Sequence, residues 1–158
     1  MFREMRRRKQ ALSPESCVEV LRKGTSGVLA VSGDDGYPYA VPLSYVYEDG
    51  RLFFHCAPSG HKLDAIAGNE KASFCVIDQD HVVPEEYTTY YRSVIAFGRA
   101  RVLEDEGEKR AALEKLAERY SPRQEEGRRA EIDKLFQRVC MVELAVEHLS
   151  GKEAMELA

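Results

Sequence analysis

Two basic side chains, His61 and Lys62, follow directly on the run Phe53-Phe54-His55-Cys56-Ala57-Pro58-Ser59-Gly60. The pattern reads as an apolar strand that ends in polar residues, crosses a Pro-Ser-Gly turn and opens a helix. The first turn of a helix leaves backbone N–H groups without partners, and the helix dipole favours negative charge there. Donor side chains beside those N–H groups make a cradle for a phosphate. A phosphate site on a small β-rich domain points to a bound nucleotide cofactor. The plainer alternative is an exposed basic pair at the end of a surface helix.

A second stretch, Val41-Pro42-Leu43-Ser44-Tyr45, carries a proline inside a strand-like run. Proline has no N–H and leaves backbone groups out of the ladder, where the edge of a flat heteroaromatic ring can read them. The alternative is an edge strand whose proline deters association with other chains. His55 and Cys56 end the preceding strand. Adjacent strand residues point to opposite faces, so a His-activated thiol nucleophile is awkward and Cys56 reads better as a small core residue. His55, Cys56, His61 and Cys75 match no common zinc-ligand spacing, and no metal is expected. Tyr87, Tyr90 and Tyr91 suit a pocket wall, a core edge or an interface. His81 and His148 have no evident partners and read as structural or solvated.

The elements that must position these residues follow from turn and cap signals. Ser13-Pro14 starts a helix that Gly24 ends. Thr25 to Ser32 reads as a strand, Gly33 to Gly36 as a turn, and Tyr37 to Tyr47 as one strand disturbed at Pro38 and Pro42. Asp49-Gly50 signals a hairpin into a strand over Arg51–Cys56. A short helix covers His61 to Ala67, and Lys71 to Ile77 is a strand. Asp78 to Thr89 reads as a loop, and Tyr90 to Leu103 as a long strand with Gly98 at a bulge. Helices are expected across Glu104 to Gly127, broken at Ser121-Pro122, and from Glu126 to Gln137. Val139 to Val146 alternates as a closing strand, and the tail from Ser150 carries no clear signal. About five or six strands in hairpin order, with no Gly-x-Gly-x-x-Gly after a strand, argue against a doubly wound dinucleotide fold. They favour a short antiparallel barrel with peripheral helices.

With 158 residues and 44% apolar composition, the chain fits one globular domain over 1–158. The net charge of −4 speaks against nucleic acid as the main partner. An exception is the basic arm within residues 1–12, where Arg3, Arg6, Arg7, Arg8 and Lys9 crowd together as a solvated tail or a grip on an acidic group. No apolar run is long enough to span a membrane, and no signal-peptide core is present. Cys17, Cys56, Cys75 and Cys140 are dispersed and read as reduced thiols, so the cytoplasm is the expected compartment.

Taken in order, these residues resemble the FMN-binding split-barrel superfamily that includes pyridoxamine 5′-phosphate oxidase, and within it the nitroimidazole-resistance branch. The resemblance runs through Met1-Phe2-Arg3-Glu4-Met5-Arg6-Arg7, Gly36-Tyr37-Pro38-Tyr39-Ala40-Val41-Pro42, Gly60-His61-Lys62, Ser73-Phe74-Cys75-Val76, Ser93-Val94-Ile95 through Ala100, and His148-Leu149-Ser150-Gly151-Lys152-Glu153-Ala154. It implies a mainly β fold with peripheral helices, a split antiparallel β-barrel, binding FMN between two subunits. In the oxidase pattern, backbone of a strand meets the flavin ring; that stretch falls on Val41, Pro42, Leu43, Ser44 and Tyr45. A polar pair at the end of the next strand falls on His55 and Cys56, the phosphate-gripping pair on His61 and Lys62, and a polar residue from the second subunit on Ser93. The oxidase's arginine on the second strand is Val41 here, and its phosphate arginine is His61. Its C-terminal substrate-binding residues are not apparent, so pyridoxamine phosphate is not the expected substrate.

The resulting expectation is a cytoplasmic homodimer holding FMN, with flavin electrons passing from a reduced nicotinamide or similar donor to a small acceptor such as a nitroaromatic or quinone. No catalytic side chain is assigned. The alternative is a flavin- or haem-binding module without turnover of its own, since related split barrels hold haem or deazaflavin. No nucleic-acid or membrane partner is expected.

Overall fold

The computed structural model describes residues 1–158. Ser13 caps the first helix, α1 (Pro14–Lys23), its Oγ accepting the Ser16 N–H at 3.1 Å. Strand β1 (Ser26–Ser32) alternates inward and outward and pairs antiparallel with β2 (Pro38–Ser44) from Ser26↔Ser44 to Ser32↔Pro38. The expected single second strand is split: Tyr45 separates β2 from a three-residue β3 (Val46–Glu48). Asp49 and Gly50, both at positive φ, then turn the chain tightly into β4 (Arg51–Cys56). After the exposed Ala57–Gly60 turn comes α2 (His61–Gly68).

Strands β5 (Lys71–Val83) and β6 (Thr88–Val102) form a hairpin longer than anticipated. The expected Asp78–Thr89 loop is mostly ladder, running to Val83↔Thr88 past a register shift between Ile77 and Gln79. Helices α3 (Glu106–Tyr120) and α4 (Glu125–Leu135) follow, and β7 (Cys140–Glu153) closes the chain. The part of β7 beyond Ser150, which carried no signal, is a strand because Arg92, Ser93 and Val94 of β6 pair with Glu153, Lys152 and Gly151. The bulge expected at Gly98 is present, with Phe97 opposite His148 and Gly98 opposite Val146.

The fold is mostly β with helices, but the expected split barrel is corrected. The seven strands form one sheet in the order β2-β1-β5-β6-β7-β4-β3, with β2 and β3 as its two ends and no ladder joining them. Tyr45 links the two end strands in sequence, yet β3 spends its pairing on β4 and β2 spends its pairing on β1. The sheet is therefore open. A main core gathers Leu21, Leu29, Tyr45, Phe54, Phe74 and Val142. A smaller one gathers Phe53, Leu113, Leu116, Ile132 and Met141 under α3 and α4. Neighbours Phe53 and Phe54 thus feed different cores, as strand alternation requires. No helix is long and apolar enough to cross a membrane.

The basic arm is anchored at its start, where the Phe2 ring stacks on His148 at 4.7 Å. Tyr87 is exposed beside the β5–β6 turn, while the Tyr91 hydroxyl accepts a bond from Gln10 at 3.1 Å.

Candidate functional site

The turn before α2 depends on Gly60, whose φ of 151° is open only to glycine. As the N-cap it has no side chain to offer, so the first-turn N–H groups of α2 lack the side-chain acceptor that Ser13 supplies to α1 and Asp105 to α3. His61 and Lys62 open this uncapped turn. The His61 ring stacks on Tyr39 of β2, with centroids 4.0 Å apart, and its Nε2 lies 3.8 Å from Asp34. The start of α2 is thereby held against the start of β2.

The β2 edge has a definite polarity. Gly33 N–H donates to Tyr37 C=O at 2.9 Å, and Tyr45 N–H donates to Thr25 C=O at 3.3 Å. Stepping by two residues between these ends puts Tyr39, Val41 and Leu43 at the positions bonded to β1. The backbone groups of Pro38, Ala40, Pro42 and Ser44 point the other way, where no strand follows. Both prolines fall on this outward row, so it presents four carbonyls and only the N–H groups of Ala40 and Ser44. Their side chains are exposed, while Tyr39, Val41 and Leu43 pack against the main core.

Tyr45 behaves differently from its neighbours. Its side chain is fully buried, and its hydroxyl donates to Leu21 C=O at 2.7 Å. Burial pushes its phenol far up, with Tyr120 adding to the effect. The Tyr120 hydroxyl accepts from Tyr45 N–H at 3.0 Å and reaches the carbonyls of Tyr45, at 2.9 Å, and Thr25. Tyr45 is thus a core anchor at the seam between the two end strands.

His55 and Cys56 point to opposite faces, His55 exposed and Cys56 buried. His55 and Ser44 line one cavity of about 500 Å³, walled by Leu113, Leu116, Tyr120 and Ile132 of α3 and α4. Cys56 sits opposite Cys140 of β7. Burial pushes the Cys56 thiol up to about 11, the neighbouring Cys140 adds to this, and Lys62 pulls it back down. Ser93 lies on β6 opposite Ile77 and Lys152, and no ladder partner of it belongs to the other expected site residues.

The structure therefore joins His61 to β2 and places Ser44 and His55 on one cavity. Sequence reasoning missed Tyr39, Ala40 and Tyr120. For Ala40 a signal existed: prolines four apart share one parity of a strand, and Ala40 lies midway on the same row. For Tyr120 none existed, because its partner is 75 residues away.

A profile of the family described as pyridoxamine 5′-phosphate oxidase matches residues 13–153. Among solved structures, a candidate 5-nitroimidazole antibiotic resistance protein from Bacteroides thetaiotaomicron is 21% identical, with 90% of this chain and 86% of that one covered at a TM-score of 0.78. An FAD-binding protein from Mesorhizobium loti is 27% identical, covering 92% and 97% at a TM-score of 0.68. An FAD and haem binding protein from Mycobacterium smegmatis is 25% identical, covering 93% and 74% at a TM-score of 0.77. No curated protein sequence matches the chain.

Proposed function

The chain belongs to the pyridoxamine 5′-phosphate oxidase family, and on that premise we propose that it binds a flavin nucleotide, FMN in the first instance, along β2 and the start of α2. The observation that carries this reading is the bare outward row of β2 running into an uncapped helix start through the Tyr39–His61 stack. Five residue steps from Tyr39 to Ser44 span about 17 Å, enough for a tricyclic ring and its phosphate-bearing chain. Lys62 and His61 hold the phosphate with the first-turn N–H groups. Ala40, Pro42 and Ser44 offer backbone donors and acceptors to the ring, with Val41 and Leu43 fixing the strand from its inner side. The relatives at 25% and 27% identity are named for binding FAD or FAD and haem, which supports a flavin of either kind. Haem or a deazaflavin is the alternative occupant.

A bound flavin supplies one- or two-electron chemistry, and the chain's residues bind and orient it. The cavity shared by Ser44 and His55 gives a small acceptor room beside the ring, which supports turnover with a nicotinamide-type donor and a quinone or nitroaromatic acceptor. The binding names of the relatives favour the more restrained reading, a flavin holder without turnover of its own.

Titrating FMN, FAD and haemin separately into the purified chain tests both. Saturable quenching of flavin fluorescence is expected for FMN. Oxidation of reduced nicotinamide that depends on added menadione then marks an oxidoreductase, and binding without it marks the holder. A Soret band with haemin and no flavin quenching would remove the flavin reading.

We also read the chain as a homodimer. Val28, Cys75 and Ile95 line up across β1, β5 and β6 on the outward face, next to the Ile77–Ser93 pair. Ile77 is 66% exposed, an apolar side chain suited to burial by a second copy. Light scattering at micromolar concentration should give a dimer mass. Ile77→Asp should weaken association at least 10-fold, roughly the loss of one buried aliphatic contact, with unchanged far-ultraviolet circular dichroism. A monomeric wild-type chain would remove Ser93 of a second subunit from the site.

A further inference from the structure

We propose that Cys56 and Cys140 form a reversible cross-strand disulfide, oxidised by small-molecule disulfides, that staples the end of β4 to the start of β7. Both are free thiols in directly opposed positions of the antiparallel β4–β7 ladder. Opposed residues share a face, and both side chains pack against the main core. The Cα spacing of such a pair, about 4.5 or 5.5 Å depending on its place in the ladder, lies inside the range of about 4.4–6.8 Å that a disulfide bridges. The electrostatics agree with this placement, since the neighbouring Cys140 adds to burial in pushing the Cys56 thiol up. Each is also the terminal residue of its strand, so closing the bridge disturbs no ladder beyond it. The remaining cysteines have other surroundings. Cys17 on α1 lies under Gly151, and Cys75 on β5 sits opposite Val28 and Ile95.

The order of events follows from exposure. Cys140 is half-buried and Cys56 nearly fully buried, so the Cys140 thiolate attacks the small disulfide. The S–S bond of the small molecule breaks, one of its sulfurs joins Cys140, and the other leaves as a thiolate. Cys56 then gives up its proton to the departed thiolate and attacks the Cys140 sulfur. The Cys56–Cys140 bond forms as the second small thiolate leaves. The two protein thiols are oxidised by two electrons, and the small disulfide is reduced to two thiols. Lys62, whose charge stabilises the Cys56 thiolate, assists the second attack.

This goes beyond flavin binding and stands or falls without it. The bridge locks the strand end that leads into the Ala57–Gly60 turn, so redox state governs how freely the segment carrying His61 and Lys62 moves.

The folded full-length chain is incubated with oxidised glutathione, quenched in acid, alkylated and analysed by intact mass and peptide mapping. The wild type is expected to lose two hydrogen atoms, to yield one crosslinked Cys56–Cys140 peptide, and to return to four free thiols with dithiothreitol. Cys56→Ser is expected to halt at a single glutathione adduct on Cys140. A wild-type adduct that persists on Cys140 while Cys56 remains alkylatable would overturn the proposal. So would a crosslink through Cys17 or Cys75, or thiols that all stay free.

Discussion

Replacing Gly98 by valine should cost the fold about 3 kcal/mol or more and lower its melting temperature by roughly 6–12 °C. Gly98 occupies the bulge where β6 shifts register against β7, leaving Glu147 as the extra residue between the Phe97–His148 and Gly98–Val146 pairs. A side chain there would run into the Ala145 carbonyl, its first carbon only 2.9 Å from the carbonyl carbon and 3.1 Å from Val146 Cα. These are backbone atoms of the central ladder and no rotamer change moves them. Relief requires separating β6 from β7, between two of the middle strands of the sheet. Gly127 supplies the opposite case. It lies inside α4 and a methyl group there would meet nothing closer than 4.0 Å. Gly127→Ala should therefore stabilise by about 0.5–1 kcal/mol through helix propensity. Thermal unfolding followed by circular dichroism measures both. A Gly98→Val protein melting within a few degrees of wild type would mean that the bulge yields easily.

Removing the ammonium of Lys62 should weaken FMN binding by about 1.5–3 kcal/mol, roughly 10- to 100-fold in dissociation constant. The first turn of α2 has no protein cap, so a phosphate there meets backbone N–H groups and the Lys62 charge together. Asp34, 3.8 Å from the His61 imidazole, and Asp64 in the first turn of α2 are carboxylates of this region, and without Lys62 their repulsion of a phosphate is less compensated. Lys62→Arg keeps the charge and should recover most of the affinity. Fluorescence titration with FMN and with riboflavin separates phosphate from ring. Lys62→Ala should affect FMN strongly and riboflavin little. Equal losses for both ligands would place Lys62 away from the phosphate.

The elements around the candidate site were legible where local grammar wrote them. A strand, a glycine turn and a helix start are short-range events, and β4 and α2 fall where the residues around His61 put them. The Asp49-Gly50 turn and the Ser13-Pro14 helix start were equally local. What escaped was set by distant partners. Tyr45 looks like any aromatic in a strand, but Tyr120 bonds its backbone and its hydroxyl bonds Leu21, which buries it at the seam between β2 and β3. Residues 79–83 contain Gln79, Asp80 and His81 and lack a buried face, so no alternation marks them as strand; pairing with β6 alone extends β5. Barrel closure was the largest error. Whether two end strands bond to one another is decided by residues far apart in the ladder order, and the proline pattern was read for ligand contact or an edge strand without bearing on closure.

That proline pattern has a further effect. An open sheet with a naked terminal strand is ordinarily a seed for fibril growth, because each added strand renews the same template. On β2 every other outward residue is a proline, so an incoming strand would find half its hydrogen-bond acceptors unsupplied and propagation would stall at the first layer. A small heterocycle needs only one or two of those bonds and gives up nothing. The same spacing that starves a polymer leaves room for a guest.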